Sequence, residues 1–196
     1  MIKDNIKLIL FLHHEESNME RKYISRTKRL GLRTWSTEDI PEMAKINSDP
    51  HVMKYFPSTY DIEQTKSFVK RMSGHCKEFN YCYFAVDLLE TNAFIGFVGL
   101  MYQDYKADFT PCIDIGWRLS KYFWGKGYAT EAAQACIDYA FNVLDLSKII
   151  CVAPVINDAS IQVMKKIGMT HKGNFDHPLL INEPEIKECV LYEISK

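Results

Sequence analysis

The sequence predicts an α/β (α+β) domain, a mixed central sheet with helices on both faces, in the order β-α-α-β-β-β-α-β-α-β-β. Three observations carry that expectation. Segments with a 3.6-residue apolar period alternate with short runs rich in aromatic and β-branched residues. Two such runs, residues 81–88 and 94–102, flank the turn Glu90-Thr91-Asn92 and read as an antiparallel hairpin. A glycine-punctuated turn, Gly125-Lys126-Gly127, opens directly into a long alanine-rich helix.

Residues 29–35 alternate well enough for a first strand. Ser36 or Thr37 then caps a helix with Glu38 and Asp39 in its first turn, which runs to about Ile46 and stops at Asn47-Ser48-Asp49-Pro50. A loop carrying His51, Val52, Met53, Tyr55 and Phe56 follows, then a second helix from Ile62 to about Lys77 with Phe68, Val69 and Met72 inward. After the hairpin, residues 112–119 form a fourth strand. The helix beyond Gly127 puts Ala129, Ala132, Ala133, Cys136, Ile137, Ala140 and Leu144 on one stripe, small enough to lie close to a sheet. Residues 148–153 make a short apolar strand, and Asn157-Asp158-Ala159-Ser160 starts a helix that Gly168 ends, with Ile161 and Met164 inward. Strands at 171–175 and about 185–193 close the chain.

At 196 residues, with no repeat, low-complexity tract or linker, the chain reads as a single domain over 25–196. Residues 1–24 read as an N-terminal extension outside that fold, with Met19 an alternative start. The apolar run 6–12 is too short to span a membrane and is not followed by a signal-cleavage site. A formal net charge of -1 gives no sign of a nucleic-acid surface. The basic residues Arg21, Lys22, Arg26, Lys28 and Arg29 flank the first strand. Six cysteines without CxxC spacing argue against a zinc site and give little support to a disulfide framework, so a reducing cytoplasm and no metal are expected.

Chemistry first surfaces at the glycine turn. The first N–H groups of a helix lack intrahelical partners and the dipole favours an anion, so a helix opened by glycines offers a phosphate seat. A tight strand-to-helix turn explains the same glycines equally well. Two familiar phosphate loops are excluded: Ser120 stands where a Walker loop needs its first glycine, and Thr130 where a dinucleotide fingerprint needs its third.

The stretch Asp114-Ile115-Gly116-Trp117, continued by residues 122–132, resembles the acetyl-CoA-binding signature of the GNAT N-acetyltransferases, closest to the RimJ/RimL-like branch that acetylates ribosomal-protein N-termini. Residues 27–33 resemble that branch's opening strand, 49–56 its substrate-side loop, and 157–169 its last helix. The resemblance covers roughly residues 25–195 and implies a GNAT-like, mostly antiparallel sheet. It implies that backbone N–H groups of Trp124, Gly125, Lys126, Gly127, Tyr128, Ala129 and Thr130 receive the pyrophosphate of acetyl-CoA. The pantetheine arm would lie along Ile115, Trp117 and Leu119, where this strand and 148–153 splay apart. Asn157 would contact the cofactor with its side-chain amide; a helix N-cap is the other reading of an Asn there, and one residue can serve as both. Ser160 would lie nearby and is carried as a catalytic candidate, and Lys166 would approach the 3′-phosphate. Two positions depart from the family: Tyr122 replaces the usual Gln or Arg, and Met164 replaces the tyrosine that protonates the leaving thiolate.

An amine must lose a proton before it attacks a thioester. Asp114 matches the strand position where the family often has Glu and is the first candidate for that base. The alternative for it is a solvent-facing residue paired with a lysine. Glu131, an acid in a helix's first turn, is explained by the dipole alone. Trp35, Tyr55 and Phe56 are expected either to line the acceptor pocket or to fill the core. The expected activity is acetyl transfer from acetyl-CoA to a primary amine, a protein N-terminus such as a ribosomal protein's or a small-molecule amine, by a monomer or homodimer. Relatives of the branch also take polyamines and antibiotics, and a fold does not fix a function. A catalytically weak acetyl-CoA sensor or interaction module is the alternative.

Overall fold

The computed structural model describes residues 22–196. The suggestions about the first 21 residues and Met19 lie outside the described residues. A short hairpin opens the fold, Ser25–Arg26 (β1) against Leu30–Arg33 (β2), its turn tied by the Leu30 N–H donating to Thr27 Oγ1 at 2.9 Å. The expected first strand is thus shorter, and it gains a partner whose two residues are too few to leave a periodic signal.

Ile40–Asn47 (α1), Pro50–Met53 (α2) and Ile62–Phe79 (α3) follow. The expected loop at 51–57 therefore begins as a helical turn. Asp49 accepts from the His51 N–H at 2.9 Å, and Pro50 sits at the first helical position, so the pair that ends α1 also starts α2. The strands are Tyr83–Leu88 (β3), Phe94–Gln103 (β4), Cys112–Leu119 (β5), Lys148–Pro154 (β6), Thr170–Asp176 (β7) and Glu188–Ser195 (β8). Tyr128–Asn142 (α4) lies between β5 and β6, and Asp158–Lys166 (α5) between β6 and β7.

Among the described residues the sheet has eight strands in the order β1-β2-β3-β4-β5-β6-β8-β7. All neighbours are antiparallel except β5 and β6, which run parallel and share one register pair, Asp114 with Ile150. Beyond that pair the two strands separate, and the middle of the sheet opens. Layers cover both faces. The alanine stripe of α4 buries Ala132, Ala133, Cys136 and Ala140 completely, and α1 and α3 bury Met43, Phe68 and Met72 on the opposite side.

Arg33 anchors the α1 end. Its guanidinium donates to Asp87 at 2.7 and 2.8 Å and to Asp39 at 2.8 and 2.7 Å, all three side chains buried. Both carboxylates hold Arg33 above its ordinary pKa against the opposing effect of burial. Among the described residues no helix is long and apolar enough to cross a membrane.

Candidate active site

Strand alternation puts Asp114, Gly116 and Arg118 of β5 on the face covered by α1 and α3. Asp114 accepts from the Tyr83 hydroxyl at 2.9 and 3.1 Å and from the Gln103 amide at 3.0 Å. A Cβ at Gly116 would come within 3.1–3.2 Å of the Tyr83 ring, so the glycine makes room for this bond. Tyr83 is held from its other side by stacking on Phe97, centroids 5.1 Å apart. Burial pushes the Asp114 carboxyl up to about 7, while the bonds from Tyr83 and Gln103 hold it back. Among the described residues no lysine pairs with it, so the solvent-facing alternative is set aside: this is a desolvated carboxyl that changes charge near neutral pH.

Four residues beyond Asp114 on the same face lies Arg118. Its Nη1 donates to Asn47 Oδ1 at 2.6 Å, and its guanidinium rests over Phe56, 4.1 Å from the centroid. Burial pulls its pKa down to about 10. Asp114, Arg118, Tyr83, Gln103, Tyr55, Phe56, Tyr105 and Met164 belong to the wall of a cavity of about 480 Å³ in the gap between β5 and β6. Tyr55 reaches across that gap and donates to the Ile156 carbonyl at 3.2 Å.

A second cavity, of about 310 Å³, adjoins it, and Phe56, Trp117 and Arg118 line both. Its floor is the start of α4. Gly125 and Gly127 have φ of 72° and 79°, the left-handed region that other residues rarely adopt, and the N-cap residue Gly127 has no side chain to cap the helix. The first N–H groups of α4 therefore remain open toward the cavity, whose lining includes Leu119, Trp124, Gly125, Gly127, Tyr128, Ala129, Thr130, Ser160 and Lys166. Conformation alone accounts for the glycines, since a Cβ on Gly125 would meet nothing within 4 Å.

The remaining sequence candidates divide. Ser160 accepts from Trp117 Nε1 at 3.2 Å, joining α5 to β5. Ile115 lines the larger cavity. Asn157 caps α5, its Oδ1 accepting from the Ser160 N–H at 3.2 Å, and lines neither cavity. Lys126 also lines neither: its ammonium lies 5.5 Å over Phe123, and its carbonyl accepts from Arg29. Trp35 is not a pocket wall. It is core, edge-on to Phe68 and Phe94, with its indole N–H donating to the Tyr83 carbonyl. Glu131 holds Arg29 by an ion pair of 2.6 Å and so ties α4 to the first hairpin, a tertiary role beyond the helix dipole. The exposed Tyr122 side chain leaves only backbone at the first signature position. Tyr83, Gln103 and Arg118 escaped the sequence reading. Only the register of β3, β4 and β5 brings them together, although the alternation of β5 itself put Arg118 on the face of Asp114.

Comparison with known proteins agrees with this geometry. The acetyltransferase (GNAT) domain profile matches residues 29–170. The chain is 36% identical over 150 residues to an uncharacterized N-acetyltransferase, YnaD of Bacillus subtilis, covering 76% of this chain and 84% of that one. An acetyltransferase structure of the GNAT family from Bacillus anthracis superposes with a TM-score of 0.74 at 30% identity, over 87% of this chain and 96% of that one. The ribosomal L7/L12 α-N-protein acetyltransferase RimL, solved with coenzyme A, also reaches 0.74, at 16% identity over 89% and 98%, a likeness of fold. A profile spanning most of the domain, on this split sheet, leaves one assignment: the chain belongs to the GNAT acetyltransferases, acyltransferases that use acetyl-CoA.

Proposed function

We propose that the protein transfers an acetyl group to a primary amine, of a protein N-terminus or a small molecule, by direct attack in a ternary complex. The observation that carries this reading is Asp114: a carboxyl desolvated to about 7, fixed by Tyr83 and Gln103, at one end of a cleft whose other end is an uncapped helix start. Acetyl-CoA, when bound, supplies the acetyl thioester. The residues present suit it. Open N–H groups and a dipole at the start of α4 offer a place for pyrophosphate, with Trp124, Gly125, Gly127, Tyr128, Ala129 and Thr130 around it. Ile115, Trp117 and Leu119, paired with β4 on one side, offer the edge of β5 that β6 leaves open for the pantetheine arm, and Lys166 in the adjoining cavity offers a charge for the 3′-phosphate.

Asp114 is assigned the proton of the incoming ammonium, taken directly or through one water. With its pKa near 7 it is largely ionised at slightly alkaline pH and still basic enough to take that proton. Ser160, hydroxyl on the cavity wall, is assigned a hydrogen bond to the departing sulfur, because the buried Met164 has no proton to give. The same methionine favours the second reading, a cofactor-binding module with weak turnover. A thiol-release assay over amines and N-terminal peptides separates the two. Turnover of at least one acceptor is expected, and Asp114→Asn should lower kcat by roughly 10²–10⁴-fold with coenzyme A affinity unchanged. Tight coenzyme A binding without turnover across the panel favours the binding module.

A further inference from the structure

The wall shared by the two cavities holds a cation without a counter-charge. Arg118 is only 7% exposed, yet among the described residues no carboxylate pairs with it and its Nε has no hydrogen-bond partner. Its surroundings are the amide oxygen of Asn47, the hydroxyl of Tyr60, which hydrogen-bonds it, and the rings of Phe56, Phe97 and Tyr60, at 4.1, 5.4 and 5.5 Å from the guanidinium carbon, all of them neutral groups. Arg33 shows what the same fold does with a structural arginine: equally buried, it meets two carboxylates with four hydrogen bonds. A buried charge left uncompensated is costly, and an anion entering the cavity would relieve that cost. Arg71, over the Phe68 ring at 5.6 Å, adds a second cation to the larger cavity, again with no carboxylate partner among the described residues. Asp114 supplies the single carboxylate among the described residues of that lining.

This arrangement suits one ammonium and one anion, and opposes a polyamine, whose second ammonium would meet Arg118 or Arg71. We propose that the acceptor is a monoamine carrying a carboxylate, held with its amine toward Asp114 and its carboxylate toward Arg118. Asp114 and Arg118 stand four residues apart on one strand face, roughly 13 Å between Cα atoms before their side chains close the distance. The amine and the carboxylate are therefore several bonds apart, as in an ω-amino acid or in an acidic side chain near a peptide N-terminus. This inference rests on the reading that the larger cavity takes the acceptor.

The test uses the full chain with acetyl-CoA and three acceptors of one length: 5-aminopentanoate, pentylamine and 1,5-diaminopentane. Paired peptides carrying Glu or Lys beside the N-terminus distinguish a protein source of the carboxylate from a free amino acid. The expected result is a kcat/KM at least tenfold higher for the carboxylate member than for the diamine, or for the Glu than for the Lys peptide. Arg118→Gln should bring that ratio close to one and Arg118→Lys should preserve part of it. Arg71→Gln, at an exposed site, should lower the ratio even if the Arg118 variants fold poorly. Thermal stabilisation by each acceptor in the presence of coenzyme A gives the same ranking without turnover, so a failure of catalysis is told apart from a failure of this proposal. Equal or better use and binding of the diamine and the Lys peptide overturns it. So does an Arg118→Gln variant that keeps the ratio and instead loses affinity for coenzyme A, because the missing anion is then the cofactor's.

Discussion

At the scale of single residues, Asp114 sets the pH behaviour. Tyr105, Cys112 and Cys151 near it are all held above their ordinary pKa values, chiefly by burial and further by its charge. None of them competes as an acid near neutral pH. The rate should therefore rise through about pH 7 as Asp114 ionises. Tyr83 donates to the charged form, so Tyr83→Phe removes a stabilised carboxylate and moves that limb to higher pH, by roughly half a unit to one unit for a bond worth about 1 kcal/mol. An unmoved limb in a pH–kcat/KM profile would show that Asp114 is not the titrating group. Stability carries the opposite sign. The folded state keeps the Asp114 proton between about 4 and 7 where the unfolded chain has lost it, so this residue destabilises the fold progressively as pH rises through that window, and fully above it.

Elements bring in a second buried arginine with a different purpose. Arg33 joins β2, β3 and the turn into α1, where Asp39 also accepts from the Ser36 N–H at 2.8 Å and completes a capping box. Removing it takes four charge-assisted hydrogen bonds away from two buried carboxylates. Arg33→Ala should cost about 3–5 kcal/mol in urea unfolding at neutral pH, and less at acidic pH where the carboxylates can protonate. A loss below about 1 kcal/mol would mean that the network relaxes or admits water. Asn47 links this layer to the cleft. Its amide donates to Thr65 Oγ1 at 3.1 Å while its oxygen accepts from Arg118, so α1 and α3 together fix the guanidinium over the cavity.

For the whole molecule, the decisive feature is the divergence of two parallel strands inside an otherwise antiparallel sheet. One register pair between β5 and β6 leaves backbone and side chains of both strands facing a gap, and helices α4 and α5 close its far end. A ligand lying across that gap touches both halves of the sheet and binds the folded state alone. Acetyl-CoA at 100 times its Kd should therefore stabilise the fold by about 2.7 kcal/mol, which for a chain of this size raises Tm by roughly 5–11 °C. No rise at saturating ligand would remove the cleft as the cofactor site.

The local pattern determined much of this protein by itself. The alanine stripe of α4, the hairpin of β3 and β4, and the Gly125-Lys126-Gly127 turn were legible because period, turn chemistry and positive φ are properties of neighbouring residues. Asp114 was legible for its place in a family signature. Its chemistry was not, since its raised pKa depends on Tyr83 and Gln103, which reach it only through the pairing of β3, β4 and β5. Tertiary structure also withdrew Trp35 from the pocket, because an aromatic looks the same in a sequence whether it faces a core or a cleft, whereas the cap made by Asn157 was already legible from its place before α5. It placed Arg118 beside aromatic rings and an amide instead of a carboxylate. Whether a buried charge is paired is decided by contacts between distant segments, and only the folded chain contains them.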